Sequence, residues 1–241
     1  MPLVILHGLF GSSDNWMSVA RKLGEQFTVY LPDQRNHGLS GKSDTWNYQA
    51  MAEDLQQFVT EEQIEQPVII GHSMGGKVAM KFAGLFPEKL RKLVVADIAP
   101  RPYPVHHQVI LQGLQAVKPH ELKSRRDADL RLAEHVKELP VRQFLLKNLY
   151  RDNSGSFGWR VNLEVISQQI ENVGEEIRYE SPFEKPALFI RGENSQYIRD
   201  EDIPEIKKQF ARAEVKNIAE AGHWIHAEQP ERFLQILYSF I

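Results

Sequence analysis

A short apolar run, Val68-Ile69-Ile70, leads straight into Gly71-His72-Ser73-Met74-Gly75, and that into Gly76-Lys77-Val78-Ala79-Met80-Lys81-Phe82-Ala83, which reads as a helix. A strand that turns at once into a helix restricts the fold more than any other feature of the chain. The helix must pack back beside its own strand, and flanking glycines let the backbone bend tightly enough to do so. The apex of the turn is a serine, just ahead of a helix N-terminus that favours developing negative charge. Ser73 is therefore the candidate nucleophile of a G-x-S-x-G turn. A serine alcohol also needs a base, so the rest of the chain must supply one.

The alternation continues on both sides. Strands are expected at 3–6, 27–31, 68–70, 93–96, 187–190 and 215–218, and helices at 14–23, 48–60, 74–86, 201–210 and 230–240. Near-continuous apolar strands separated by amphipathic helices predict an α/β fold: a mostly parallel sheet with helices on both faces. Between Pro100 and Pro186 the rhythm breaks, prolines bracket the stretch, and Arg, Lys, Glu and Gln dominate. That stretch reads as an inserted helical cap over 100–185, with helices at 127–139 and 141–149. The core is then 1–99 together with 186–241. The cap's basic residues, such as Lys123, Arg125, Arg126 and Arg131, read as a solvated face.

Composition narrows the function. The net charge of −3 gives no field for nucleic acid or acidic membranes, and no apolar run approaches the roughly 20 residues of a membrane span. With no cysteine, thiolate chemistry and disulfides are excluded, which suits a cytoplasmic protein.

Ligands of an open parallel sheet gather beyond the C-terminal ends of its strands. After the first strand comes His7-Gly8-Leu9-Phe10-Gly11. The N–H groups of Leu9 and of Met74, the residue after the serine, are the expected oxyanion donors. His7 is expected to hold this loop by hydrogen bonds, and Asp33 to pair with Arg35 in the loop after the second strand. After the last strand, Gly222-His223 offers an imidazole on an uncrowded loop, so His223 is the candidate base. His223 and His226 form an H-x-x-H with no third ligand in view, so no metal is expected. The acid has two candidates. Asp97 follows the strand at 93–96, and Glu193 follows the strand at 187–190, in a loop that also holds Ser195. Asp97 is preferred, with Ser195 donating a hydrogen bond in support.

These residues resemble the α/β-hydrolase superfamily, and more narrowly the small bacterial esterases of the YbfF type and their mitochondrial relatives. The resemblance rests on His7-Gly8-Leu9-Phe10-Gly11-Ser12, Arg35-Asn36-His37-Gly38-Leu39-Ser40, the turn through Lys77, Asp97-Ile98-Ala99-Pro100, Gln143-Phe144-Leu145-Leu146-Lys147 and Gly222–Glu228. It implies cleavage of short-chain carboxylic esters or acyl thioesters as small-molecule substrates, without a cofactor. It also implies an acid after the strand preceding the cap, which is Asp97. The superfamily usually has two further strands at its N-terminus; here the chain starts at the third, so either the true start lies upstream or the member is shortened. Alternatives are a C–C bond hydrolase or lyase of the same fold, which would want a cation such as Arg101 or Arg142 facing Ser73, and a non-catalytic hydrolase-fold binding protein.

Overall fold

The computed structural model describes residues 1–241. Its strands are β1 (Pro2–Leu6), β2 (Thr28–Tyr30), β3 (Val68–His72), β4 (Lys92–Ala96), β5 (Leu149–Arg151), β6 (Phe157–Trp159), β7 (Ala187–Gly192) and β8 (Ala213–Ile218). Its α-helices are α1 (Met17–Leu23), α2 (Tyr48–Glu61), α3 (Met74–Leu85), α4 (Gln108–Ala116), α5 (Arg125–Ala133), α6 (Leu139–Leu145), α7 (Leu163–Gln168), α8 (Ile203–Gln209), α9 (Ile225–Glu228) and α10 (Pro230–Phe240). Six strands form one sheet in the order β2-β1-β3-β4-β7-β8, and every neighbouring pair is parallel.

Alternation along each strand divides the core. Leu3, Ile5, Val68, Ile70, Val94, Leu188 and Ile190 pack with Trp16, Val19 and Leu23 of the α1 region and Phe233 and Leu237 of α10. Val4, Leu6, Ile69, Leu93, Val95 and Phe189 face the other way, toward α2, α3 and α8. Both faces are covered, which is why the central strands read as unbroken apolar runs. The strand order reverses at β1, whose neighbours are β2 and β3. The loops after β1 and β3 therefore diverge at the sheet's C-terminal edge and leave a crevice there.

The turn between β3 and α3 explains its glycines by contact. A Cβ on Gly71 would sit 2.1 Å from the Gly75 carbonyl oxygen, and one on Gly75 would sit 2.5 Å from the backbone oxygens of both Leu6 and His7. The first turn of α3 thus lies directly on the end of β1, closer than any side chain permits.

The segment between β4 and β7 stands outside the sheet. It is held where it leaves and rejoins the core: Ile177 N–H donates to the Pro100 carbonyl at 2.8 Å, and Tyr103 N–H to the Gly174 carbonyl at 2.9 Å. The fully buried Lys77 of α3 donates to the carbonyls of Pro100 (3.0 Å), Arg101 (2.7 Å) and Glu175 (2.6 Å).

Within this segment the structure differs from the expected helices. The helix expected over 127–139 is α5, which starts behind the Ser124 cap and ends at Ala133; Pro140 then occupies the first turn of α6, where its missing N–H costs nothing. The helix expected over 141–149 ends at Leu145, because Leu149–Arg151 turns back in an antiparallel hairpin with Phe157–Trp159. The turn is Asp152-Asn153-Ser154-Gly155, with Asp152 Oδ1 accepting from Ser154 N–H and Ser156 N–H at 2.9 Å each and Gly155 at φ 88°. Asp33 and Arg35 do not pair. Arg35 makes a two-pronged contact with Asp54 of α2 (2.5 and 2.6 Å), while Asp33 accepts from Ser13 N–H (2.7 Å) and Leu39 N–H (2.8 Å).

Gly75→Ala should lower the unfolding free energy by about 3 kcal/mol, since a backbone contact cannot give way. Gly41→Ala, where an added Cβ meets nothing within 4 Å, should stay within about 0.5 kcal/mol. Denaturant melts of the two variants against the parent chain check both.

Candidate active site

Ser73 is the residue between β3 and α3, and the tight turn forces it to φ 53°, ψ −120°, outside the regions an L-residue favours. Held there, its side chain lines a cavity of about 580 Å³ at the C-terminal edge of the sheet. His223, in the loop after β8, lines the same cavity, as do His7, Leu9 and Phe10 from the loop after β1. The segment between β4 and β7 supplies the far wall, including His107, Ile110, Val141, Phe144 and Leu145.

Asp97 follows β4, at φ 51° and fully buried. Its carboxylate meets three donors. His223 Nδ1–H donates to Oδ2 at 2.7 Å, Gly192 N–H donates to Oδ1 at 3.1 Å, and the Ser195 hydroxyl donates to Oδ2. The ring tautomer follows: with Nδ1 carrying the proton, His223 Nε2 keeps its lone pair. Glu193, the other acid candidate, is turned away and accepts the Glu220 N–H at 2.9 Å. The structure thus brings Asp97, Ser195 and His223 into one hydrogen-bonded set and leaves Glu193 outside it.

The loop carrying His223 is held a second time. His72 Nε2–H donates to the His223 carbonyl at 2.8 Å, so the residue just before Ser73 grips the backbone of His223. The Tyr197 ring stacks on the imidazole, with centroids 4.0 Å apart and planes 22° from parallel.

The loop after β1 is fixed from beneath. His7 Nε2 accepts the Gln34 N–H at 3.0 Å while Nδ1–H donates to the Gly8 carbonyl at 2.9 Å. His37 Nε2 accepts the Phe10 N–H at 3.2 Å, and Asn148 Nδ2 donates to the Phe10 carbonyl at 2.7 Å. Phe10 sits at φ 58°, another residue held in the left-handed region at the cavity rim. Leu9 N–H has no acceptor in this loop's hydrogen bonding, and Met74 N–H opens α3, where no preceding turn offers it a carbonyl.

The family follows from a comparison with known proteins: the model for the alpha/beta hydrolase fold matches residues 1–230. This chain belongs to the α/β-hydrolase fold family. A Xenopus laevis protein named sn-1-specific diacylglycerol lipase ABHD11 is 42% identical over 249 residues, spanning 100% of this chain and 79% of that one. The Escherichia coli K12 esterase YbfF is 37% identical over 243 residues, spanning 100% of this chain and 92% of that one. Among solved structures, a marine microorganism esterase superposes with a TM-score of 0.97 at 44% identity, covering 100% of this chain and 95% of that one.

In this α/β-hydrolase, four residues around the site escape a reading of motifs alone. His72, His37, Asn148 and Tyr197 act through backbone groups or a ring face, and none bears a spacing that marks such a role. Three had a visible trace, since His72 lies inside Gly71–Gly75, His37 lies inside Arg35–Ser40 and Asn148 directly follows Gln143–Lys147. No group of three or more His, Cys, Asp or Glu side chains is arranged to hold a metal ion. No helix is long and apolar enough to cross a membrane.

Three histidines around the cavity are kept neutral by burial, which pushes His37 and His226 down to about 3 and His107 to about 4. His226 stacks on Trp16 at 4.0 Å, and its Nδ1 has no hydrogen-bond partner. In the unfolded chain these rings titrate near 6.5. Below that pH the unfolded state binds more protons than the folded one, so stability falls as pH falls through the window from about 6.5 to 3. At pH 5 the loss is about 2 kcal/mol for each of His37 and His226. His226→Phe keeps the stack on Trp16 and removes the titration. It should reduce the stability lost between pH 7 and pH 5 by about 2 kcal/mol, measured by urea unfolding at both pH values.

Proposed function

We propose that this chain is a serine ester hydrolase working through an acyl-enzyme, with Ser73 as nucleophile, His223 as base and Asp97 as acid. The observation that carries the reading is the buried Asp97 carboxylate on His223 Nδ1 at 2.7 Å. It leaves a lone pair on His223 Nε2 in the cavity that the strained Ser73 also lines.

Attack by the Ser73 oxygen on an ester carbonyl passes its proton to His223 Nε2. The charge then on the imidazole is balanced by Asp97, and the charge on the carbonyl oxygen is met by the N–H groups of Leu9 and Met74. His223 returns the proton to the departing alcohol, and the acyl-serine forms. Water, deprotonated in turn by His223, releases the acid. Ser195 supports the acid by its hydrogen bond to Asp97, and His7 supports the oxyanion loop.

Residues 100–185 act in this reading as a cap on a core of 1–99 and 186–241. Short-chain carboxylic esters are the substrates, with acyl thioesters as a second class, and the setting is cytoplasmic. The names of the relatives, esterase and lipase, support ester cleavage. A C–C bond hydrolase or lyase gains no support from the arginines it would call on. Arg101 pairs with Asp202 at 2.8 Å and Arg142 with Asp129 at 2.8 Å, and neither lines the cavity.

With an aryl acetate as substrate, Ser73→Ala should abolish turnover and also covalent labelling by an aryl phosphonate. Asp97→Asn should lower kcat by roughly 10⁴-fold, because the imidazole loses its fixed tautomer. Glu193→Gln should leave kcat within about 3-fold, its carboxylate being occupied by the Glu220 N–H. Full turnover by the Ser73 variant would overturn the mechanism. A large loss in the Glu193 variant with none in the Asp97 variant would overturn the choice of acid.

A further inference from the structure

The imidazole of His223 is fixed at one edge by Asp97, but a hydrogen bond at Nδ1 alone lets the ring swing about that contact. The Tyr197 ring lies flat against it, with centroids 4.0 Å apart. Tyr197 is itself tied at both backbone ends. Its N–H donates to Ser195 Oγ at 3.2 Å, and its carbonyl accepts the Tyr103 hydroxyl. The same Tyr103 oxygen accepts the Ala99 N–H at 2.8 Å, two residues beyond Asp97. One phenol thus joins the backbone that follows the acid to the backbone that carries the stacking ring.

Tyr103 belongs to the stretch where residues 100–185 leave the core. Its N–H reaches across to Gly174 on the returning segment. Its ring is flanked by the Arg101 guanidinium at 4.0 Å and the Lys77 ammonium at 5.1 Å from its centroid. Lys77 in turn grips carbonyls on both sides of this junction.

We propose that Tyr197 is a positioning residue for His223, and that Tyr103 holds it in place, so that the base is aligned only while the junction of residues 100–185 with the core is seated. The face of an aromatic ring attracts a cation, so the stack also favours the imidazolium that forms as Ser73 attacks. The interaction strengthens as charge develops on the ring, so it acts on kcat more than on KM. This rests on the ester-hydrolase reading above.

The test is a double-mutant cycle with an aryl acetate substrate on the full chain, with thermal midpoints recorded for every variant. Tyr197→Leu should lower kcat by about 10-fold with KM within about 2-fold, and Tyr197→Phe, which keeps the ring, should restore kcat. Tyr103→Phe removes only the bridging hydroxyl and should lower kcat by about 3-fold in the parent chain. It should produce no further loss in the Tyr197→Leu background, because its effect passes through the stacked ring. Where Tyr197→Leu fails to fold, Tyr103→Phe and Tyr197→Phe decide between them: the first must lose kcat and the second must not. Unchanged kcat in Tyr103→Phe, equal losses in Tyr197→Phe and Tyr197→Leu, or fully additive losses overturn the proposal. A parent chain that does not turn over the ester, or does so without Ser73, overturns the underlying function instead.

Discussion

The buried carboxylate of Asp97 is the constraint around which the rest is arranged. A charge with no exposure to water costs several kcal/mol unless donors replace its hydration. Here they come from the end of β7 (Gly192 N–H), from the loop after it (the Ser195 hydroxyl) and from the loop after β8 (His223 Nδ1). Satisfying one carboxylate therefore aligns the C-terminal ends of three adjacent strands, β4, β7 and β8. The loop carrying His223 is held besides by the His72 contact to its backbone, by Asn194 N–H on the Ala221 carbonyl at 2.8 Å and by the Glu228 carboxylate, which accepts from Gly222 N–H and Trp224 N–H.

The serine side of the site is set by a different force, which is steric. Gly71 and Gly75 allow α3 to lie against the end of β1 at distances that exclude a Cβ, and the consequence is Ser73 at φ 53°. Packing on both faces of the sheet holds that strain in place. The two halves meet because β3 and β4 are neighbours in register: His72 pairs with Ala96, so Ser73 and Asp97 both leave the sheet at the same level. The Ser73 N–H donating to the Ala96 carbonyl at 3.0 Å fixes that alignment.

Much of this was legible in the chain itself. Parallel strands covered on both faces must be continuous apolar runs, so the central strands and their alternation with helices were plain in the sequence, while the edge strands β2 and β8 are partly exposed and less apolar. The serine turn was legible because glycine, serine and glycine occupied fixed places between a strand and a helix. The acid was harder, since Asp97 and Glu193 both followed strands, and only the fold shows which carboxylate is turned toward His223. The segment between β4 and β7 was least legible. Its elements bury their apolar faces on the core and on one another, and its hairpin hangs on a turn, Asp152–Gly155, that looks like any polar loop. Arg35 misled for a related reason: its neighbour in sequence, Asp33, is taken by Ser13 and Leu39, and its partner Asp54 lies on α2. Tyr197 carried no signal, because a ring face has no sequence pattern, and Asn148 was marked only by its place directly after Gln143–Lys147.

The decisive contact is that of the Asp97 carboxylate with the Nδ1 proton of His223, which leaves Nε2 free in the cavity that Ser73 also lines. A proton NMR spectrum in water tests it most directly, since a proton shared between a buried imidazole and a carboxylate resonates far downfield of the amides. Such a resonance is expected in the parent chain, is lost in His223→Gln and survives in Glu193→Gln. Its absence from the folded parent chain, or its persistence in His223→Gln, would show that no such hydrogen bond holds the imidazole.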